Sequence, residues 1–166
     1  MVLQGTKPDF RIRRAQPGDA PTILTLIRDL AEYERAPHEV VTTEEQLRKH
    51  LFGPQPEAEV LIGEEAGVPV CFALFFHSFS TWMGRRGLYL EDLFVKPEVR
   101  GRGYGRALLV RLAQSARERE CGRMEWAVLD WNEPAIQFYR KLGARPNDDW
   151  TIFRLTMDGI SQLAGE

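Results

Sequence analysis

The chain has 166 residues, 43% hydrophobic and 28% charged, with a formal net charge of -2, the make-up of one ordinary globular domain. That charge excludes a strong basic field for nucleic acid. Two cysteines, Cys71 and Cys121, exclude a disulfide framework and point to a reducing cytoplasm, and no apolar run approaches the ~20 residues of a membrane span.

Residues 1–9 read as a loose leader without a signal-peptide pattern, and residues 10–166 as the domain. Phe10–Arg14 alternates and predicts a first strand. Asp19 is the expected cap of a helix that has Pro21 in its first turn. Ile23, Leu26, Ile27 and Leu30 follow the helical period, and their stripe continues onto Tyr33 and Glu34. Thr43-Glu-Glu-Gln46 fits a capping box for a second, short helix that Pro54 and Pro56 end. Val60–Ile62 and Val68–Phe76 predict strands joined by a hairpin at Glu65-Ala-Gly67.

Ser78–Arg86 reads as a loop. Leu88–Val95 is apolar on both faces, which predicts a central buried strand ending at Pro97. A helix from Gly103 to Glu120 carries Leu108, Leu109, Leu112, Ala113 and Ala116 on one side, and Gly122 closes it. Met124–Leu129 predicts another strand. Asn132 caps a helix running through Leu142, with Gly143 as its stop, and Trp150–Met157 reads as a last strand. Two helix–strand crossovers plus hairpins make a mixed α/β sheet flanked by helices.

Three features carry chemistry. The first is Arg100-Gly101-Arg102-Gly103-Tyr104-Gly105, placed between a strand and a helix. Glycines let the backbone approach an anion, and the first helical N–H groups point at it without intrahelical partners. The spacing is not the dinucleotide fingerprint, because the last glycine comes one residue early, and no Gly-Lys-Ser/Thr makes it a Walker loop. A tight turn that needs positive φ is the alternative reading. The second feature is Glu91-Asp92, two carboxylates inside an apolar strand. Burying them costs several kcal/mol unless they are paired, solvated or used. A carboxylate facing a wet channel attracts a cationic amine and takes up its proton. The third is Asn132 with Tyr139, two helical turns apart and on one face. Read alone, the one is a helix cap and the other a core aromatic. His38, His50 and His77 lack ligand spacing, so no metal is expected.

The spacing Arg100-x-x-Gly103-x-Gly105 closely resembles the coenzyme A loop of the GNAT N-acetyltransferase superfamily. With Glu32-Tyr33-Glu34, Tyr89-Leu-Glu-Asp92 and Asp130-Trp-Asn-Glu-Pro134, the chain from Phe10 to Leu155 resembles the spermidine/spermine (diamine) N-acetyltransferase branch. That resemblance implies a single domain with a mixed, twisted sheet whose bulged Leu88–Val95 strand splays from Met124–Leu129. It implies acetyl-CoA as co-substrate. Leu93, Phe94 and Val95 would offer backbone groups to the pantetheine arm, Arg100, Gly101, Arg102, Gly103, Tyr104 and Gly105 would hold the pyrophosphate, and Asn132 would also bind the cofactor. Tyr33, Glu34, Glu91 and Asp92 would line the amine pocket. Glu91 would draw off the amine proton and Tyr139 would protonate the departing thiolate.

The implied reaction is direct acetyl transfer to a primary amine of a small polyamine, diamine or lysine-like substrate, by a homodimer with no nucleic-acid or membrane partner. The alternatives are a protein or peptide N-acetyltransferase and a non-catalytic acetyl-CoA-binding module. The chain departs from its relatives where a longer acidic segment precedes the final tryptophan. Here only Arg145-Pro-Asn-Asp-Asp149 stands before Trp150.

Overall fold

The computed structural model describes residues 9–165, so most of the expected leader lies outside the described residues. The chain divides into two compact units, the first ending at Ala127 and the second beginning at Val128. The first unit holds β1 (Phe10–Arg14), α1 (Ala20–Tyr33), α2 (Glu44–Phe52), β2 (Glu59–Glu65), β3 (Val68–Ser80), β4 (Arg85–Val95), α3 (Tyr104–Glu118) and β5 (Met124–Trp126). Its five strands form one sheet in the order β1-β2-β3-β4-β5. Neighbours are antiparallel except β4 and β5, which are parallel and joined through α3. α1 packs on β3 and β4, and α3 packs on β2, β3 and β4. This is the mixed α/β sheet flanked by helices that the pattern of apolar residues predicts.

The core explains why these segments hold their form. Ile23, Leu26 and Leu30 of α1 pack with Leu47 and Leu51 of α2, Val60 and Ile62 of β2, Phe72 of β3 and Phe94 of β4. Each fully buried aliphatic side chain is worth roughly 1.5–3 kcal/mol. The Thr43–Gln46 capping box forms as its sequence predicts, with the Gln46 N–H donating to Thr43 Oγ1 at 3.2 Å and the Thr43 N–H donating to Gln46 Oε1 at 2.9 Å. Asp19 occupies the cap position of α1 without capping it. Its carboxylate instead accepts two hydrogen bonds from Arg13, at 2.7 and 2.8 Å, because a charged, forked donor outcompetes a single helix N–H.

Several boundaries differ from those the sequence predicts. Ser78–Arg86 is mostly strand: β3 runs to Ser80 and β4 starts at Arg85, with Ser80 opposite Arg85. Most of the residues that read as a loop flank the turn of this long hairpin, where pairing rather than apolar alternation sets the structure, and Ser80 is itself buried. β5 stops at Trp126 instead of Leu129. α3 ends near Arg119, with Glu120 at φ 55 taking the left-handed position expected of Gly122.

In the second unit, α4 (Glu133–Lys141) follows Asn132 as expected, and α5 (Met157–Ala164) closes the chain. The predicted last strand, Trp150–Met157, is absent. Residues 150–156 have no regular structure, and Met157 opens a helix. β-branched and aromatic residues favour a strand only where an edge is offered for pairing, and no strand pairs with this segment among the described residues. One crossover between parallel strands therefore exists among the described residues, where two were expected. Among the described residues, no helix is long and apolar enough to cross a membrane.

Candidate active site

β4 carries the irregularity on which the site is built. Leu74 of β3 lies opposite Asp92, yet the next residue, Phe75, lies opposite Leu90. Glu91 is thus the extra residue of a β-bulge, the device that re-aims side chains beside functional sites. On its other side, β4 pairs with β5 only from Leu88 to Leu90. Among the described residues, it has a strand partner on one side alone from Glu91 to Val95, so part of its backbone there is left for another partner. This is the splayed, bulged strand that the sequence resemblance implies.

The bulge separates the two carboxylates. Glu91 is exposed, and Asp92 is only partly so. The expectation of a strand buried on both faces therefore fails at Glu91, where the extra residue turns outward. Burial pushes the Asp92 carboxyl up to about 7, and the negative charges of Glu91 and Glu34 add to the shift. Glu34 stands at the C-terminal end of α1, where Arg35 at φ 63 and the Ala36 N–H bonded to the Ala31 carbonyl at 2.9 Å end the helix. Glu34 is largely exposed, but partial burial of its carboxyl raises it above the ordinary value. Two carboxylates, Glu91 on β4 and Glu34 just after α1, thus act on Asp92. Such a group is unfavourable alone and becomes favourable when a cation enters.

The expected phosphate loop joins this region. Arg100 sits with its guanidinium 4.5 Å from the ring centre of Tyr33 and 5.7 Å from that of Phe94, and its Nε donates to the Val95 carbonyl at 2.9 Å. This links the helix end, the bulged strand and the loop. Gly101 and Gly103 have φ of 79 and 86, which side-chain-bearing residues seldom adopt, and open space lies where a Cβ would stand. Gly103 is also the N-cap of α3, and its carbonyl accepts the first helical hydrogen bond, from Ala107 N–H at 3.0 Å. The amides of the first turn have no partners within the helix. This cradle of open space and N–H groups fits a diphosphate.

Arg102 and Tyr104 meet a residue that inspection of the sequence alone did not single out. Both side chains bond to Glu65, at the end of β2. Burial raises the Tyr104 phenol, and the hydrogen bond to Glu65 raises it further. The sequence marks Glu65 only as the start of a hairpin turn and not as their partner, because they lie 37 and 39 residues away and only the sheet brings them together.

In the second unit, Asn132 and Tyr139 share α4. Asn132 is buried, and its Oδ1 accepts from the Ala135 N–H at 3.4 Å, so it does cap the helix. Tyr139 is half-buried two turns on, with its ring 5.3 Å from that of Phe138.

Known proteins share this architecture and sequence. A family model described as "Acetyltransferase (GNAT) family" matches residues 23–144. The thialysine N-epsilon-acetyltransferase of Bos taurus is 40% identical, over 93% of this chain and 97% of that protein. A spermidine/spermine N(1)-acetyltransferase-like protein of Homo sapiens is 33% identical, over 95% of this chain and 24% of that longer protein. Among solved structures, an integron cassette protein from the mobile metagenome of V. cholerae superposes with a TM-score of 0.81 at 23% identity, covering 96% of this chain and 100% of that one, a likeness of fold. With a family model over most of its length and a relative 40% identical matched nearly end to end, the chain is an N-acetyltransferase of the acetyltransferase (GNAT) family, in the branch that holds the spermidine/spermine-like enzymes.

Proposed function

We propose that this enzyme moves the acetyl group of acetyl-CoA to the terminal primary amine of a small lysine-like or diamine substrate. The observation that carries this reading is the trio of Asp92, Glu91 and Glu34, set where the bulged β4 meets the end of α1. A compact set of carboxylates suits a small cationic amine. The similarity to a thialysine acetyltransferase favours a lysine-like chain over a long polyamine.

In this reading, Arg100 and the amides from Gly101 to Gly105 hold the diphosphate, aided by the positive end of the α3 dipole. The backbone of Leu93, Phe94 and Val95 holds the pantetheine arm, and Asn132 gives a further contact. Bound acetyl-CoA supplies an activated thioester, at which the neutral amine forms a C–N bond as the C–S bond breaks. The chain's part is to orient the two, worth up to ~7–11 kcal/mol in favourable cases, and to move two protons. Tyr33 and Glu34 receive the ammonium.

Asp92 titrates near neutrality, the range in which a carboxylate both exists as a base at pH 7 and holds a proton well. It accepts the ammonium proton, and Glu91, exposed at the bulge, passes it to water. A backbone N–H of β4 polarises the carbonyl. The Tyr139 phenol gives its proton to the sulfur. The same reading makes the enzyme a homodimer, for which light scattering should give twice the mass of one chain.

Steady-state thiol release tests the role of the trio. Asp92→Asn should lower kcat/KM for the amine by about 10²–10³-fold and abolish an acidic limb near pH 7. A variant that kept both the rate and the limb would remove Asp92 from proton transfer.

A further inference from the structure

The loop that cradles the diphosphate in this reading is tied to the far side of the sheet by one carboxylate. Arg102 Nη1 donates to Glu65 Oε2 at 2.6 Å and Oε1 at 2.8 Å, and Tyr104 Oη donates to the same Oε1 at 2.6 Å. Tyr104 is 1% exposed, and its ring lies flat on Phe10, with centres 3.9 Å apart and planes 4° from parallel. Phe10 is in turn the β1 residue opposite Glu65. Glu65 therefore holds the residue before Gly103 and the residue after it. Gly103 is the left-handed N-cap whose neighbours present the first-turn amides.

We propose that Glu65 is a positioning residue for acetyl-CoA: by gripping Arg102 and Tyr104 together, it sets the backbone of Gly103 between them and so aims the amides that meet the diphosphate. A glycine-rich loop left to itself samples many conformations, and fixing it before the ligand arrives removes an ordering cost from binding. A carboxylate near a polyanion would by itself weaken binding. Glu65 avoids this because Arg102 neutralises it, and its role lies in geometry rather than in attraction.

The inference rests on the loop being the diphosphate site, and the test separates the two. Coenzyme A itself, which does not turn over, is titrated calorimetrically into the wild-type enzyme and into Glu65→Ala, Glu65→Gln, Tyr104→Phe and the Glu65→Ala/Tyr104→Phe double variant. Melting temperatures and steady-state rates are recorded beside the titrations. We expect coenzyme A to bind roughly tenfold more weakly to Glu65→Ala, with KM for acetyl-CoA rising in step and kcat at saturation within about twofold of wild type. Glu65→Gln, which keeps an acceptor for Tyr104 but loses the charge for Arg102, should fall between. The double variant should bind no more weakly than Glu65→Ala, because both changes break one unit.

Equal or tighter binding by folded Glu65→Ala overturns the proposal, the tighter result marking Glu65 as a mere repulsive charge. So does a drop in melting temperature with binding unaltered, which would make the clamp structural only. Should Glu65→Ala fail to fold, Tyr104→Phe decides: binding weakened about threefold supports the clamp, and unchanged binding overturns it. Failure of the wild-type enzyme to bind coenzyme A would instead contradict the diphosphate reading itself.

Discussion

With its carboxyl held up to about 7, Asp92 keeps a proton in the folded chain over a range where the unfolded chain loses it near 3.8. The folded state binds more protons there, so stability falls as pH rises from about 4 to 7 and is level above that. The window corresponds to ~4 kcal/mol at most. Asp92→Asn has no charge to bury, so it should be more stable than wild type by roughly 2–4 kcal/mol at pH 8, with the gain shrinking as pH falls toward 4. Denaturant titrations at several pH values measure this, and a gain that did not depend on pH would refute the assignment. An active-site residue that lowers stability is what a site held ready for a cation entails.

Tyr139 has a separate test. Tyr139→Phe should lower kcat by about 10²-fold while coenzyme A still binds, and unchanged turnover would take Tyr139 out of its role. At this scale the sequence was informative about residue types. Two carboxylates in an apolar strand stood out without any structure. Which of them lies deep was not legible, because alternation assigns faces only in a regular strand and the bulge at Glu91 breaks the count.

Among the elements, the arginines of β1 show how the sheet edge is secured. Glu64 is 4% exposed, and both Arg11 and Arg13 bond to it at 2.7 Å, while Arg13 also grips Asp19. Burial works to raise Glu64, yet the two guanidinium partners outweigh it and hold it below its ordinary value. Replacing Arg13 leaves Asp19 without its guanidinium partner and leaves the buried Glu64 with Arg11 alone. Arg13→Met should therefore cost roughly 3 kcal/mol and lower the melting temperature by about 6–12 °C, measured by calorimetry at pH 7. Because a lowered carboxylate pKa gives stability that is lost as pH falls, the difference between the two proteins should narrow on acidification.

Helices α1 to α4 and the β2–β3 hairpin were legible because caps, periodicity and turn residues act locally, as Thr43 and Gln46 show, whereas α5 falls where the sequence pattern predicts only the end of a strand. The Ser80–Arg85 pairing and the fate of Trp150–Thr156 were not, since both depend on whether another strand offers an edge. The clamp of Glu65 on Arg102 and Tyr104 was hidden for the same reason.

At the scale of the whole molecule, the proposed function joins the anion cradle and the acidic cluster in one acetyl transfer to a small amine. Both parts rest on the first unit's sheet, and the family relationship covers chemistry that the geometry alone would leave open. The most direct measurement is mass spectrometry of the products formed from acetyl-CoA and an equimolar mixture of thialysine, lysine, ornithine, spermidine and short basic peptides. We expect a single acetyl group on the terminal amine of the lysine-like compounds, formed ahead of all others. Acetylated peptides alone, or no acetylated product from an enzyme shown to bind coenzyme A, would contradict it.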